Sequence, residues 1–173
     1  MEAPSTSGAE QPAIDVMETL LADRGWRVER IPVTPGRDAL FARGDAEPVV
    51  VLSTHLDTVP PHIPPRVDGG RLHGRGACDA KGIAAAMVCA AGRLRARGVG
   101  VGLLFVIGEE TTHDGARAAN AAAARLAPRC RALVNGEPTE SRLGVGTKGA
   151  LRFVLRTRGR AAHSAYPHLG DSA

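Results

Sequence analysis

The chain has 173 residues, enough for one ordinary hydrophobic core and a small second unit. Hydrophobic residues make up 43% and charged residues 23%, the balance of a soluble globular protein, and with only 3% aromatics the core must be built from Val, Leu, Ala and Ile. The formal charge of +4 comes from scattered arginines with no aromatic platform between them, which speaks against nucleic-acid binding, and no apolar run is long enough to span a bilayer.

Residues 1–12 are rich in Ala, Pro, Ser and Gly and read as a disordered tail, without the apolar core of a signal peptide. Residues 13–24 carry Ile14, Met17, Leu20 and Leu21 at helical spacing, and Gly25 stops the helix. Two short strands are expected at 26–31 and 39–43. Residues 48–53 form a continuous apolar run, as in a strand covered on both faces. Residues 58–75 hold four prolines and several glycines and read as loop. An Ala-rich helix follows at 79–97, with Asp79 as N-cap and Gly98 as the stop. A second buried strand is expected at 101–107, a helix at 115–126 ended by Pro128, and a short third strand at 131–135. After Gly144 the character changes, and residues 150–158 alternate apolar and basic like a half-exposed strand. The order predicts an α/β fold: a mainly parallel mixed sheet with helices on both faces. The expected division is a tail at 1–12, a main domain at 13–145 and the start of a small α+β unit at 146–173.

Four chemical motifs stand along this frame: Thr54-His55-Leu56-Asp57, Gly76-Ala77-Cys78-Asp79-Ala80-Lys81-Gly82, Glu109-Glu110 and Gly136-Glu137-Pro138. Three of them follow an apolar strand, so they should converge at the carboxyl edge of one sheet, where α/β proteins place their sites. His55 and Asp57 are two apart and should face the same way, so the carboxylate can orient the imidazole. Asp79 reads both as a helix cap and as a carboxylate bridging two metals. Glu109 and Glu110 repel one another at a strand terminus, a penalty that a cation removes. Adjacent residues point to opposite sides, so one can ligate while the other acts as base. His62, His73 and His113 read as surface or pocket-rim residues, and Cys78 as a small buried side chain. Cys78, Cys89 and Cys130 are odd in number and form no CxxC pair, which argues against a disulfide framework and for a reducing, cytoplasmic setting.

Taken together, residues 53–60, 74–82, 108–110 and 136–138 resemble the dizinc amidohydrolase and metallopeptidase family that includes acetylornithine deacetylase, succinyl-diaminopimelate desuccinylase, aminoacylase and carboxypeptidase G. The resemblance runs from about residue 14 to 173 and matches the N-terminal half of such an enzyme. It implies two Zn2+ ions, with Co2+ as a possible substitute. His55 and Glu137 would hold one ion, Glu110 the other, and Asp79 would bridge them. Asp57 would orient His55, Glu109 would be the general base, and His163, in the context His163-Ser164-Ala165, would contact the reacting carbonyl. A cis peptide is implied at Asp79-Ala80. The substrate would be a small-molecule N-acyl amino acid or peptide cut at an amide bond, with no nucleic acid or membrane partner. Homodimerisation through the lid is a common family property.

Family members run to about twice this length and take their last zinc ligand from a late histidine, for which this chain has no candidate after His168. The expectation is therefore an unfinished site and weak activity, with a non-catalytic metal-binding remnant or interaction module as the alternative.

Overall fold

A computed structural model describes residues 1–147, 149, 151 and 153–173. Two compact units are present, Met1–Ser141 and Arg142–Ala173. The first contains α1 (Gln11–Ala22), β1 (Arg27–Thr34), β2 (Arg37–Arg43), β3 (Val50–His55), β4 (Arg66–Asp68), β5 (Arg71–His73), α2 (Lys81–Ala96), β6 (Val101–Val106), α3 (Asp114–Leu126) and β7 (Ala132–Asn135). Five strands form one mixed sheet in the order β1-β2-β6-β3-β7. β1 and β2 are an antiparallel hairpin, and β2 runs antiparallel to β6. β3 is parallel to β6 on one side and to β7 on the other, with Val50 level with Val101 and Ala132. The carboxyl ends of these three strands therefore share one edge.

Strand alternation splits the core between the two faces. Leu52, Leu103 and Phe105 pack with Ile14 and Leu21 of α1 and Ala84, Met87 and Ala91 of α2. Their neighbours Val51 and Val106 point the other way, onto Ala119 and Leu126 of α3 with Ile31 and Phe41. Each fully buried side chain of this kind contributes roughly 1.5–3 kcal/mol. Helices thus cover both faces of an α/β sheet.

Several expectations need correction. The 58–75 stretch is not all loop: β4 and β5 form a small exposed hairpin turned by Gly69 and Gly70, both at positive φ. β7 is an edge strand, paired among the described residues with β3 alone, and all four of its residues are exposed. Cys78 is exposed. The strand expected at 150–158 falls partly on Ala150 and Arg152, outside the described residues. The described remainder forms no strand, and Leu151, Phe153, Val154 and Leu155 are 80–87% exposed. No described strand of that unit pairs with them, and an unpaired strand is not stable in water. The second unit instead has a 3₁₀ turn (Pro167–Leu169) and a bridge between Arg160 and Asp171. Among the described residues no helix is long and apolar enough to cross a membrane.

The N-terminal tail is the largest departure. Residues 1–10 are laid along the chain segment that follows β3, with Ser5 1% and Glu10 0% exposed. The Glu10 carboxylate is held by Arg37 Nε and Nη2 (2.8 and 2.7 Å) and by the Gly8 N–H (2.8 Å). Arg37 also reaches Asp114 at 2.7 Å, so one guanidinium joins the start of α1, the β1–β2 turn and the start of α3. The two carboxylates hold its pKa above the ordinary arginine value.

A buried acid that loses its partner is costly, so Arg37→Met is expected to destabilise the chain by about 3–5 kcal/mol in urea unfolding. Adding Glu10→Gln should recover part of that loss.

Candidate metal centre

His55 is the last residue of β3 and is 1% exposed. Its Nδ1 lies 2.9 Å from the Asp57 carbonyl oxygen, which can only accept, so this nitrogen carries a proton. Nε2 faces the other way, 2.8 Å from Asp79 Oδ1 and 3.8 Å from Glu137 Oε2. Burial works against a charged imidazole, but Asp57, Asp79 and Glu137 outweigh it and push the pKa up to about 9.

Asp79 lies just before α2 and does not cap it. The N-cap is Ala80, without a side-chain bond, and the Asp79 carboxylate is turned to His55 instead. The Asp79-Ala80 peptide is cis, as the family resemblance implies. Gly82 opens α2 in a position only glycine can hold, because a Cβ there would sit 2.1 Å from the Ala77 carbonyl oxygen. Glu137 follows β7. Its strand end is pinned to β3 by the Gly136 N–H on Ser53 O and by the Thr54 hydroxyl on Gly136 O, both at 2.8 Å. The Asn135 amide lies 3.4 Å from Glu137 Oε1.

Asp57 is completely buried, and its carboxylate joins two strand ends. Oδ1 accepts the Glu109 N–H at 3.0 Å and lies 3.4 Å from His55 Nδ1. Oδ2 accepts the Glu110 N–H at 3.0 Å and the Ser7 hydroxyl at 2.7 Å. Burial alone would raise its pKa. The bonds from His55, Ser7, Glu110 and Glu109 overcome this and hold it below the ordinary value of 3.8. The closer partner of the imidazole is thus the Asp57 backbone, while the carboxylate chiefly holds the turn after β6. Gly108 makes that turn at φ +67, and a Cβ on it would meet Asp114 Oδ1 at 2.2 Å.

Of the predicted ligands, His55, Asp79 and Glu137 come together, with one donor atom from each lying within 4.8 Å of the others. That span suits one cation bound at about 2 Å to each, and one imidazole with two carboxylates is a zinc-type donor set. Glu110 is outside this trio but close enough to feel it. Burial and then the Asp79 charge raise its pKa, helped by Glu109 and Asp57 and opposed by His55. Burial also raises that of Glu137; His55 opposes this, and Glu109 and Asp79 add to it. Carboxylates crowded enough to resist ionisation are the electrostatic complement of a divalent ion. His163 belongs to the second unit, where its Nδ1 accepts the Ala165 N–H at 3.1 Å. His62 is half-buried, and His73 and His113 are exposed. The sequence reading passed over Ser7, Thr54 and Asn135. Thr54 stood inside a quoted motif and Asn135 ended a predicted strand, whereas Ser7 had no signal beyond a polar tail.

The family model "Peptidase family M20/M25/M40" matches residues 51–167. A peptidase M20 domain-containing protein of Schizosaccharomyces pombe is 38% identical, with 100% of this chain and 45% of that protein covered. A probable carboxypeptidase of Aspergillus terreus is 39% identical, with 100% and 44% covered. The chain thus spans about half the length of these curated relatives. Among solved structures, the dipeptidase Dug1p of Saccharomyces cerevisiae shares the fold at a TM-score of 0.64 and 15% identity, covering 79% of this chain and 36% of that one. An M20 family metallo-carboxypeptidase of Sulfolobus solfataricus does so at 0.60 and 22%, covering 78% and 34%.

Because the folded pKa of Asp57 is lowered, its contribution is whole above pH 3.8 and fades as pH falls through the folded value. Asp57→Asn, which sets an amide against buried donors, should cost about 2–3 kcal/mol at neutral pH. The gap to the parent should narrow in unfolding curves taken below pH 3.8.

Proposed function

This chain belongs to peptidase family M20/M25/M40, and on that premise we propose that it is a zinc-dependent hydrolase that cuts an amide bond in a small peptide or N-acyl amino acid. The observation that carries the reading is the convergence of His55, Asp79 and Glu137 on one point at the carboxyl edge of the sheet. The relatives named as probable carboxypeptidases favour a substrate cut beside its free carboxyl end.

In this proposal His55, Asp79 and Glu137, with Glu110 beside them, are the residues that would hold two ions. Such ions, when bound, make water nucleophilic near neutral pH and polarise the scissile carbonyl. The protein's own part is positional and acid–base. Asp57 keeps the His55 proton on Nδ1, leaving Nε2 free to ligate. Glu109, whose backbone is fixed on Asp57, takes the proton of the attacking water and returns it to the leaving amine. His163 is the residue that would contact the reacting carbonyl, as the family resemblance implies. One observation favours a second reading: the three-residue cluster omits Glu110, which suits a module that binds a single metal and does not turn over.

Two tests separate these. Metal titration should give two equivalents of bound zinc, whereas one equivalent without hydrolysis supports the module. Glu109→Gln should lower hydrolysis of a dipeptide and N-acyl amino-acid panel by roughly 10²–10⁴-fold while binding metal like the parent. Retained turnover in that variant would remove Glu109 as base.

A further inference from the structure

Ser7 stands seven residues into a segment whose composition promises nothing, yet it donates to the most buried carboxylate of the site at 2.7 Å. The surrounding contacts show why it can. The Ser5 hydroxyl donates to Leu56 O at 2.7 Å. The Thr58 N–H donates to Ser5 O at 2.9 Å and the Ser7 N–H to Thr58 O at 3.2 Å, a short parallel bridge centred on Thr6 and Thr58. At one end Lys81 Nζ donates to Ala3 O at 2.7 Å. At the other, Glu10 is clasped by Arg37. The segment is a strap fastened at both ends across Leu56, Asp57 and Thr58, which follow the ligand His55.

We propose that Ser7 is a positioning residue for the metal centre, acting through Asp57 on the His55 imidazole and the Glu109-Glu110 turn. This rests on the metal reading above. Asp57 Oδ2 has two donors, the Ser7 hydroxyl and the Glu110 N–H. With the hydroxyl removed, Oδ2 keeps the Glu110 amide alone, and the orientation of the carboxylate is less tightly fixed. The other carboxylate oxygen, Oδ1, lies 3.4 Å from His55 Nδ1 and accepts the Glu109 N–H, so a rotation of the carboxylate is felt at the ligand through that contact and at the proposed base together. Ser5 offers the matched comparison: it lies in the same strap and is more buried, but it bonds a main-chain carbonyl and not Asp57.

The test titrates Co2+ alone into the metal-free full chain, following the visible absorption, with thermal unfolding in parallel. Ser7→Ala should weaken Co2+ about tenfold, the lower end of what loss of a ligand-orienting partner causes. Ser7→Thr, which keeps the hydroxyl, should restore the affinity. Ser5→Ala should lower the unfolding temperature and leave the affinity at the parent value. If Ser7→Ala does not fold, Ser7→Thr against Ser7→Val, equal in size and differing in the hydroxyl, decides the same point. Parent-like affinity in the hydroxyl-free variant, with affinity lost in His55→Ala, overturns the role of Ser7 and leaves the metal centre standing. Equal losses in the Ser5 and Ser7 variants also overturn it, since the strap would then act only as structure. Unchanged affinity in His55→Ala overturns the metal reading itself.

Discussion

One buried carboxylate, that of Asp57, sets the terms for the site. An ionised acid with no solvent contact is unfavourable unless its oxygens are fully bonded. Here the donors come from two distant places, the turn after β6 and the N-terminal strap, with the neighbouring His55 imidazole 3.4 Å from Oδ1. Satisfying one anion therefore fixes the strand ends in relation to one another. The parallel register of β3 with β6 brings them close, and the Asp57 bonds convert proximity into a defined geometry.

The other carboxylates are in the opposite condition. Asp79 and Glu137 keep side-chain exposures of 47% and 35%, and no ring of amides neutralises them. They face one imidazole and one another. The same edge thus holds a carboxylate driven below its usual pKa by donors and two glutamates, Glu110 and Glu137, driven above theirs by burial and like charge. That contrast separates the residue that holds the turn from those whose crowding a cation would relieve. It follows from hydrogen-bond supply, since burial alone would raise all three.

The parts legible in the sequence were those carried by short-range pattern. The apolar runs leading to His55 and to Glu109-Glu110 exist because β3 and β6 are sandwiched between helices, and both strands fall within two residues of expectation. The link between His55 and Asp57 was readable from a two-residue spacing. Long-range pairing was not readable. Glu10 and Arg37 are 27 residues apart, and Ser7 and Asp57 are 50 apart, so polar residues in a Pro/Gly-rich stretch looked like a solvated tail. Asp79 looked like a cap because an acid before a helix usually is one, but His55, 24 residues upstream, holds its carboxylate. β7 is apolar in sequence, yet its place at the edge of the sheet leaves Leu133 and Val134 60% and 50% exposed.

A cation held by the donor trio would couple its binding to folding. His55, Asp79 and Glu137 are contributed by the end of β3, the approach to α2 and the turn after β7. In an unfolded chain these residues are far apart, so a cation that needs all three binds the folded form alone. Its free energy then adds to that of folding, by roughly 2.7 kcal/mol when its concentration is one hundred times Kd. β7 gains most. It is a four-residue strand with one neighbour, held by the β3 ladder and the Thr54–Gly136 bond. A cation shared between Glu137 and His55 would tie that weak edge to the centre of the sheet. On this argument the carboxylate repulsion that makes the edge costly without metal is what makes binding cooperative with the order of β7.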